Sequence, residues 1–217
     1  MAPVQLLFAA LFLVSGYAAI RLDQLPPAGT DLEFQYDDGV PYWIAWTGTY
    51  RGTWFDINDF YPGLHHWCLS ESELWFYHHP LFPWDTASFY CELWEGGVGA
   101  PLSQLDQTSV QAQHAVPCFA DYGCGITVFS QFWLIVNTEM SAGGWPSLLA
   151  DNTIGGISGS SHSFWSNDFY VWTYWVPFEQ TATQAPIYSM DFLIRTGMYD
   201  DAGLAPESWG AIKAIYR

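Results

Sequence analysis

The chain of 217 residues carries 22 acidic against 5 basic side chains, a formal net charge of −17. A surface this acidic repels nucleic-acid phosphates and anionic lipid heads, which excludes nucleic acid as a partner. It suits a cation, a basic partner or a neutral ligand such as a glycan, although mutual repulsion that keeps an exported protein in solution is the simpler account. Aromatics make up 19% of residues, including 13 Trp, a composition suited to pleated strands.

Residues 1–18 are expected to be a signal peptide. Leu6–Val14 is a short apolar run, and Gly16 and Ala18 supply small residues at a cleavage spacing. The run falls short of the roughly 20 apolar residues of a membrane span, and no second long run follows, so no stable membrane span is expected. Residues 19–30 form a lead-in ending in a Pro-Pro break. Residues 31–205 form a single β domain, and 206–217 a C-terminal tail that holds Lys213 and Arg217.

In chain order, Leu32, Phe34 and Tyr36 alternate with Glu33 and Gln35, the signature of a half-buried strand. Asp37-Asp38-Gly39 makes a turn. Tyr42–Trp54 is strand-like, with breaks at Gly48 and Gly52. Asp56–Gly63 reads as a polar loop, and Leu64–Leu69 as a short apolar run. Glu73–His78 and Ser88–Trp94 read as an antiparallel strand pair at the centre of the fold, joined across Pro80 and Pro83, which cannot donate to a ladder. Pro101–Gln113 is an edge strand, and Gly125–Thr138 a single strand covered on both faces. Ser141–Ser163 is a Gly/Ser-rich flap candidate. Asp168–Val176 and Ile187–Arg195 complete the set. Many short strands with turn signals and almost no helical periodicity indicate an all-β, two-sheet antiparallel sandwich, jelly-roll-like.

Four cysteines, Cys68, Cys91, Cys118 and Cys124, suggest disulfides in an exported chain. Three pairings are possible. Cys118 with Cys124 is the easiest to close, leaving Cys68 with Cys91. The spacing of a structural zinc site is missing.

No metalloprotease, nucleophile-elbow, Walker or EF-hand motif is present. Glu71 and Glu73 have the two-residue spacing that puts paired carboxylates on one strand face, the arrangement of jelly-roll glycosidases. Glu92 and Glu95 do not share a face. His65-His66 and His78-His79 allow at most one histidine of each pair into a common metal site, such as His65 with His78. Asp56, Asn58 and Asp59 place three oxygen ligands in one loop, a candidate for structural calcium, though these residues are also ordinary turn formers. Trp165, Tyr170, Trp172 and Tyr174 are candidate sugar-stacking residues, with packing beneath a loop or second sheet as the simpler account.

The series YDDG at Tyr36–Gly39, GTWFDINDFYPG at Gly52–Gly63, ELWFYHHP, FYCELWEGG and DFLIR at Asp191–Arg195 resembles β-sandwich modules of bacterial secreted multidomain proteins. The resemblance covers most of Leu32–Arg195 and rests on short motifs. It implies an extracellular accessory or adhesion module, usually without catalysis, with a glycan or cell-surface component as partner. A jelly-roll carbohydrate-active enzyme and a structural subunit of an extracellular assembly are the alternatives.

Overall fold

The structure is a computed structural model that describes residues 33–39, 41, 49–62, 66–81, 84, 88–141, 148–151, 162–174 and 191–199. The expected signal peptide, lead-in and C-terminal tail lie outside the described residues, as does most of the Gly/Ser-rich flap candidate.

Ten strands and one short helix are present among the described residues. The strands are β1 (Glu33–Phe34), β2 (Tyr50–Asp56), β3 (His66–Trp75), β4 (Ser88–Glu95), β5 (Ser103–Gln111), β6 (Pro117–Phe129), β7 (Gln131–Asn137), β8 (Ser163–Ser166), β9 (Thr173–Tyr174) and β10 (Ile194–Tyr199). They form an antiparallel four-stranded sheet, β1-β10-β3-β6, and an antiparallel six-stranded sheet, β5-β4-β7-β2-β8-β9. Without β8 and β9, this is the strand order of an eight-stranded jelly roll. The two extra strands extend the second sheet beyond β2. No helix among the described residues is long and apolar enough to cross a membrane.

Alternation along each strand builds the core. Phe55 and Phe132, paired in register on β2 and β7, stack at 5.1 Å. Leu134 and Val136 continue that inward row, and Leu74 and Ile194 of the other sheet, with Phe76 just past β3, belong to the same core cluster. Each of these side chains is buried, contributing about 1.5–3 kcal/mol of apolar transfer free energy. On one flank the edge strands of the two sheets close on each other, and Thr108 Oγ1 donates to the Asp121 carbonyl at 2.9 Å. This contact shields two edges that would otherwise invite pairing with another chain.

Several expectations are corrected. The runs 73–78 and 88–94 are not paired. β3 lies between β10 and β6 in one sheet, and β4 between β5 and β7 in the other. His66–Trp75 form one strand with a bulge at Ser70, where the register shifts between Leu69 and Glu71. Residues 125–138 form two strands in different sheets, because the chain crosses the sandwich at Ser130. The loop after β2 contains helix α1 (Ile57–Phe60), capped by the Asp56 side chain accepting from Asn58 N–H at 2.9 Å. Residues 168–172 form a bend between β8 and β9, and β10 runs over Ile194–Tyr199; of the expected strand Ile187–Arg195, residues 187–190 lie outside the described residues. Pro101–Gln113 does hold an edge strand, β5.

The expected disulfides do not form at Cys91 or Cys118, which are thiols. Cys91 faces the core, with its sulfur 3.2 Å from the Tyr122 hydroxyl. Cys118 Sγ accepts from Gln113 N–H at 3.2 Å. Cys68 lies opposite Thr127 in the β3–β6 ladder, in the sheet that does not contain Cys91. The Cys124 side chain lies outside the described residues.

Candidate functional site

The outer face of the six-stranded sheet is aromatic. Trp94 on β4 and Trp54 on β2 flank Trp133 on β7, each opposite it in register. Trp133 points away from the main core yet is fully buried. Its cover is the 167–172 bend. Trp172 packs at 5.2 Å from Trp133, while Phe169 packs at 4.7 Å from Trp94 and 5.0 Å from Tyr50.

Two short side chains shape this bend. Ser166 Oγ accepts from Phe169 N–H at 3.0 Å, and Asp168 Oδ1 accepts from Tyr170 N–H at 2.9 Å and Val171 N–H at 3.1 Å. These are the local side-chain to backbone bonds with which Ser and Asp replace strand pairing. They hold the Asp168 carboxyl below its ordinary range, the Val171 and Tyr170 amides being the largest causes. Phe169 is driven to φ +69°, a left-handed conformation rare for an aromatic residue. The outcome is a fixed loop that turns Phe169 and Trp172 down onto the sheet and Tyr170 and Val171 outward. Tyr170 is 88% exposed and Val171 65%.

Beneath this tip, Tyr50 donates to Glu139 Oε2 at 3.3 Å. Burial, then the neighbouring Glu139, push the Tyr50 hydroxyl up to about 12, and Tyr170 lies close enough to add to the shift. Glu92 is buried in the same face, accepting from Trp94 Nε1 at 2.8 Å and Asn137 Nδ2 at 2.7 Å.

Of the expected stacking residues, Tyr170 and Trp172 lie on the bend and point apart, Tyr170 outward and Trp172 onto Trp133. Trp165 points inward, opposite Arg51, and packs against the main core. Trp172 lies in the outer aromatic layer and Tyr170 at the tip. Tyr174 stands opposite Phe164 on β9, with its side chain outside the described residues.

Glu71 stands opposite Asp121 on β6, and burial, then Asp121 and Glu73, raise its carboxyl. Glu73 serves the fold. Its Oε1 accepts from Trp75 Nε1 at 2.6 Å and lies 3.5 Å from Arg195 Nη1, and Arg195 in turn binds Asp37.

The oxygens of Asp56, Asn58 and Asp59 do not converge. Asp56 caps α1 through Oδ1 and accepts from Gln131 Nε2 through Oδ2 at 2.8 Å, while Asp59 Oδ2 accepts from the Tyr36 hydroxyl at 2.7 Å. Among the described residues, no group of three or more His, Cys, Asp or Glu side chains is placed to hold a metal ion. His65 and the His66 side chain lie outside the described residues. His78 lies beside His114, whose Nδ1 accepts from the His78 N–H at 2.9 Å.

Sequence reasoning missed a buried polar clasp. Asp191 Oδ1 accepts from His162 N–H at 2.7 Å and Ser163 Oγ at 3.1 Å. Asp151 Oδ1 accepts from Asp191 N–H at 2.7 Å, and Oδ2 from Asp38 N–H at 3.0 Å. Burial, then the adjacent Asp151, push the Asp191 carboxyl up to about 7. The His162 ring lies between Tyr36, stacked at 3.6 Å, and Trp54, stacked at 5.3 Å. Burial lowers its imidazole below the ordinary range.

Comparison with protein-family models, curated proteins and solved structures finds no match to this chain.

Proposed function

We propose that the chain is a non-catalytic binding or surface-adhesion module of an exported protein, and that it recognises carbohydrate through the loop tipped by Tyr170. The observation that carries this reading is the 88% exposure of a tyrosine on a loop whose backbone is already fixed by Ser166 and Asp168. A flat ring with a polar hydroxyl suits the apolar face of a sugar, and a pre-ordered loop loses little entropy on binding. Asn167 and Thr173, three residues to either side in the sequence, are also exposed and carry hydrogen-bonding groups. The apolar run at Leu6–Val14 and the resemblance to extracellular accessory modules support export and accessory binding. Glycan-array binding of the folded chain tests the reading. Binding that weakens at least tenfold in Tyr170→Ala supports it, and a blank array rules it out.

A second reading, a carbohydrate-active enzyme, is favoured by the opposed pair Glu71 and Asp121, in which burial and then Asp121 raise the Glu71 carboxyl, the direction a general acid needs. Glycan cleavage abolished by Glu71→Gln would support it. Cleavage unchanged by that substitution would end it.

A further inference from the structure

Hydrogen bonding fixes which nitrogen of the stacked His162 ring can take up a proton. Nδ1 lies 3.1 Å from the Trp54 carbonyl oxygen, which can only accept, so Nδ1 carries the hydrogen of the neutral ring. Nε2 is then the basic nitrogen, and it faces Asp59 Oδ2 at 3.8 Å. The ring cannot turn away. Tyr36 covers one face at 3.6 Å and Trp54 the other at 5.3 Å, and the residue is 4% exposed.

Asp59 belongs to α1, and its Oδ2 also accepts from the Tyr36 hydroxyl at 2.7 Å. The other titratable groups at the ring are Asp56, which caps α1, and Asp191, which accepts from the His162 backbone N–H. With the ring neutral, the Nε2 lone pair faces those of a carboxylate, and closing α1 onto it gains nothing. With the ring protonated, Nε2–H meets Asp59 as an ion pair, and the imidazolium lies between two aromatic faces.

We propose that His162 is a proton-operated latch that, when charged, fastens the 59–61 end of α1 to the edge of the six-stranded sheet. By linkage, closed α1 binds the His162 proton more tightly than open α1, by the same factor with which the proton favours closure. Global unfolding has the opposite sign. Burial makes the folded ring hold its proton less tightly than the unfolded chain does, so its contribution to global stability is lost as pH falls, while α1 tightens locally.

The test is NMR on the whole folded chain between about pH 4.5 and 7.5. The His162 ring shifts report protonation. The protection factor of the Tyr61 amide, which donates to the Ile57 carbonyl at 2.8 Å, reports closure of α1. The Asp59 side chain is 36% exposed, so solvent screens the pair and the factor is modest. The expected result is Tyr61 protection that rises about threefold or more as the ring gains its proton. Asp59→Asn keeps an oxygen for the Tyr36 hydroxyl while removing the charge. It should weaken proton binding at His162 about threefold or more and abolish the rise at Tyr61. Tyr61 protection that stays level while His162 titrates overturns the latch, as does an unchanged His162 titration in Asp59→Asn. A ring that stays neutral down to about pH 4.5 overturns it as well.

Discussion

Arg195 grips Asp37 through two hydrogen bonds, Nε to Oδ2 at 3.0 Å and Nη2 to Oδ1 at 2.7 Å, between residues 158 positions apart. Both are almost completely buried. Arg195→Met strands the buried carboxylates of Asp37 and Glu73 away from water and should cost about 3–5 kcal/mol in urea unfolding, whereas Asp37→Leu leaves Arg195 its 3.5 Å contact with Glu73 and should cost less. The double substitution should cost clearly less than the sum of the two, the mark of a direct coupling.

Asp191 makes stability fall with rising pH. Its carboxyl titrates at about 7 in the fold against an ordinary value of about 3.9. The folded state therefore holds the proton more tightly, and the stabilisation present below about pH 4 is lost as pH rises through 7, by on the order of 1.4 kcal/mol per unit. Asp191→Asn keeps an oxygen for His162 N–H and the Ser163 hydroxyl. It should flatten the decline in melting temperature between about pH 4 and 7. A variant with the same slope as the parent would disprove the assignment.

Gly52 is needed for close approach at the centre of the six-stranded sheet. A Cβ there would lie 3.0 Å from Ile135 Cγ1 and 3.1 Å from the Leu134 carbonyl oxygen. Ile135 is held under the outer aromatic layer and the carbonyl belongs to a paired strand, so neither yields easily. Gly52→Ala should destabilise the fold by about 1–3 kcal/mol, read as a lower urea midpoint with unchanged slope.

Cys91 is inert while the protein is folded. Burial pushes its thiol up to about 12, and no part of the residue is exposed. At pH 8 an aromatic disulfide reagent should label it only at the rate of unfolding, and fully in denaturant. Rapid labelling of the native protein at this position would contradict the buried geometry.

Inward and outward faces were legible in the sequence, but strand partners were not. Period-two alternation sets Phe34 and Tyr36 on one face against Glu33 and Gln35, and both aromatics lie in the core, but alternation reads the same whichever sheet a strand joins. Alternation therefore cannot show that β3 and β4, though consecutive, belong to opposite sheets, while β4 and β5 share one. At Ser130 the inward rows on either side, Val128 and then Phe132 and Leu134, stay in phase across the crossing, so no break shows. The aromatic alternation from Tyr170 to Tyr174 imitated a strand. Ser166 and Asp168, two turn formers two residues apart, were the signal of the bend. The acids of the clasp looked like ordinary turn residues, since nothing local tells Asp151 and Asp191 that they will meet across 40 positions.

The burial of Arg51 and Arg195 also reverses a familiar dependence. Proteins laced by surface ion pairs loosen as salt screens attraction. Here, folding crowds like charges together on the described exterior while drawing the countercharges inside. Added electrolyte screens mainly repulsion. The melting temperature should therefore climb with NaCl between about 0.02 M and 0.3 M, making dilute buffer, rather than brine, the harsher medium for this fold.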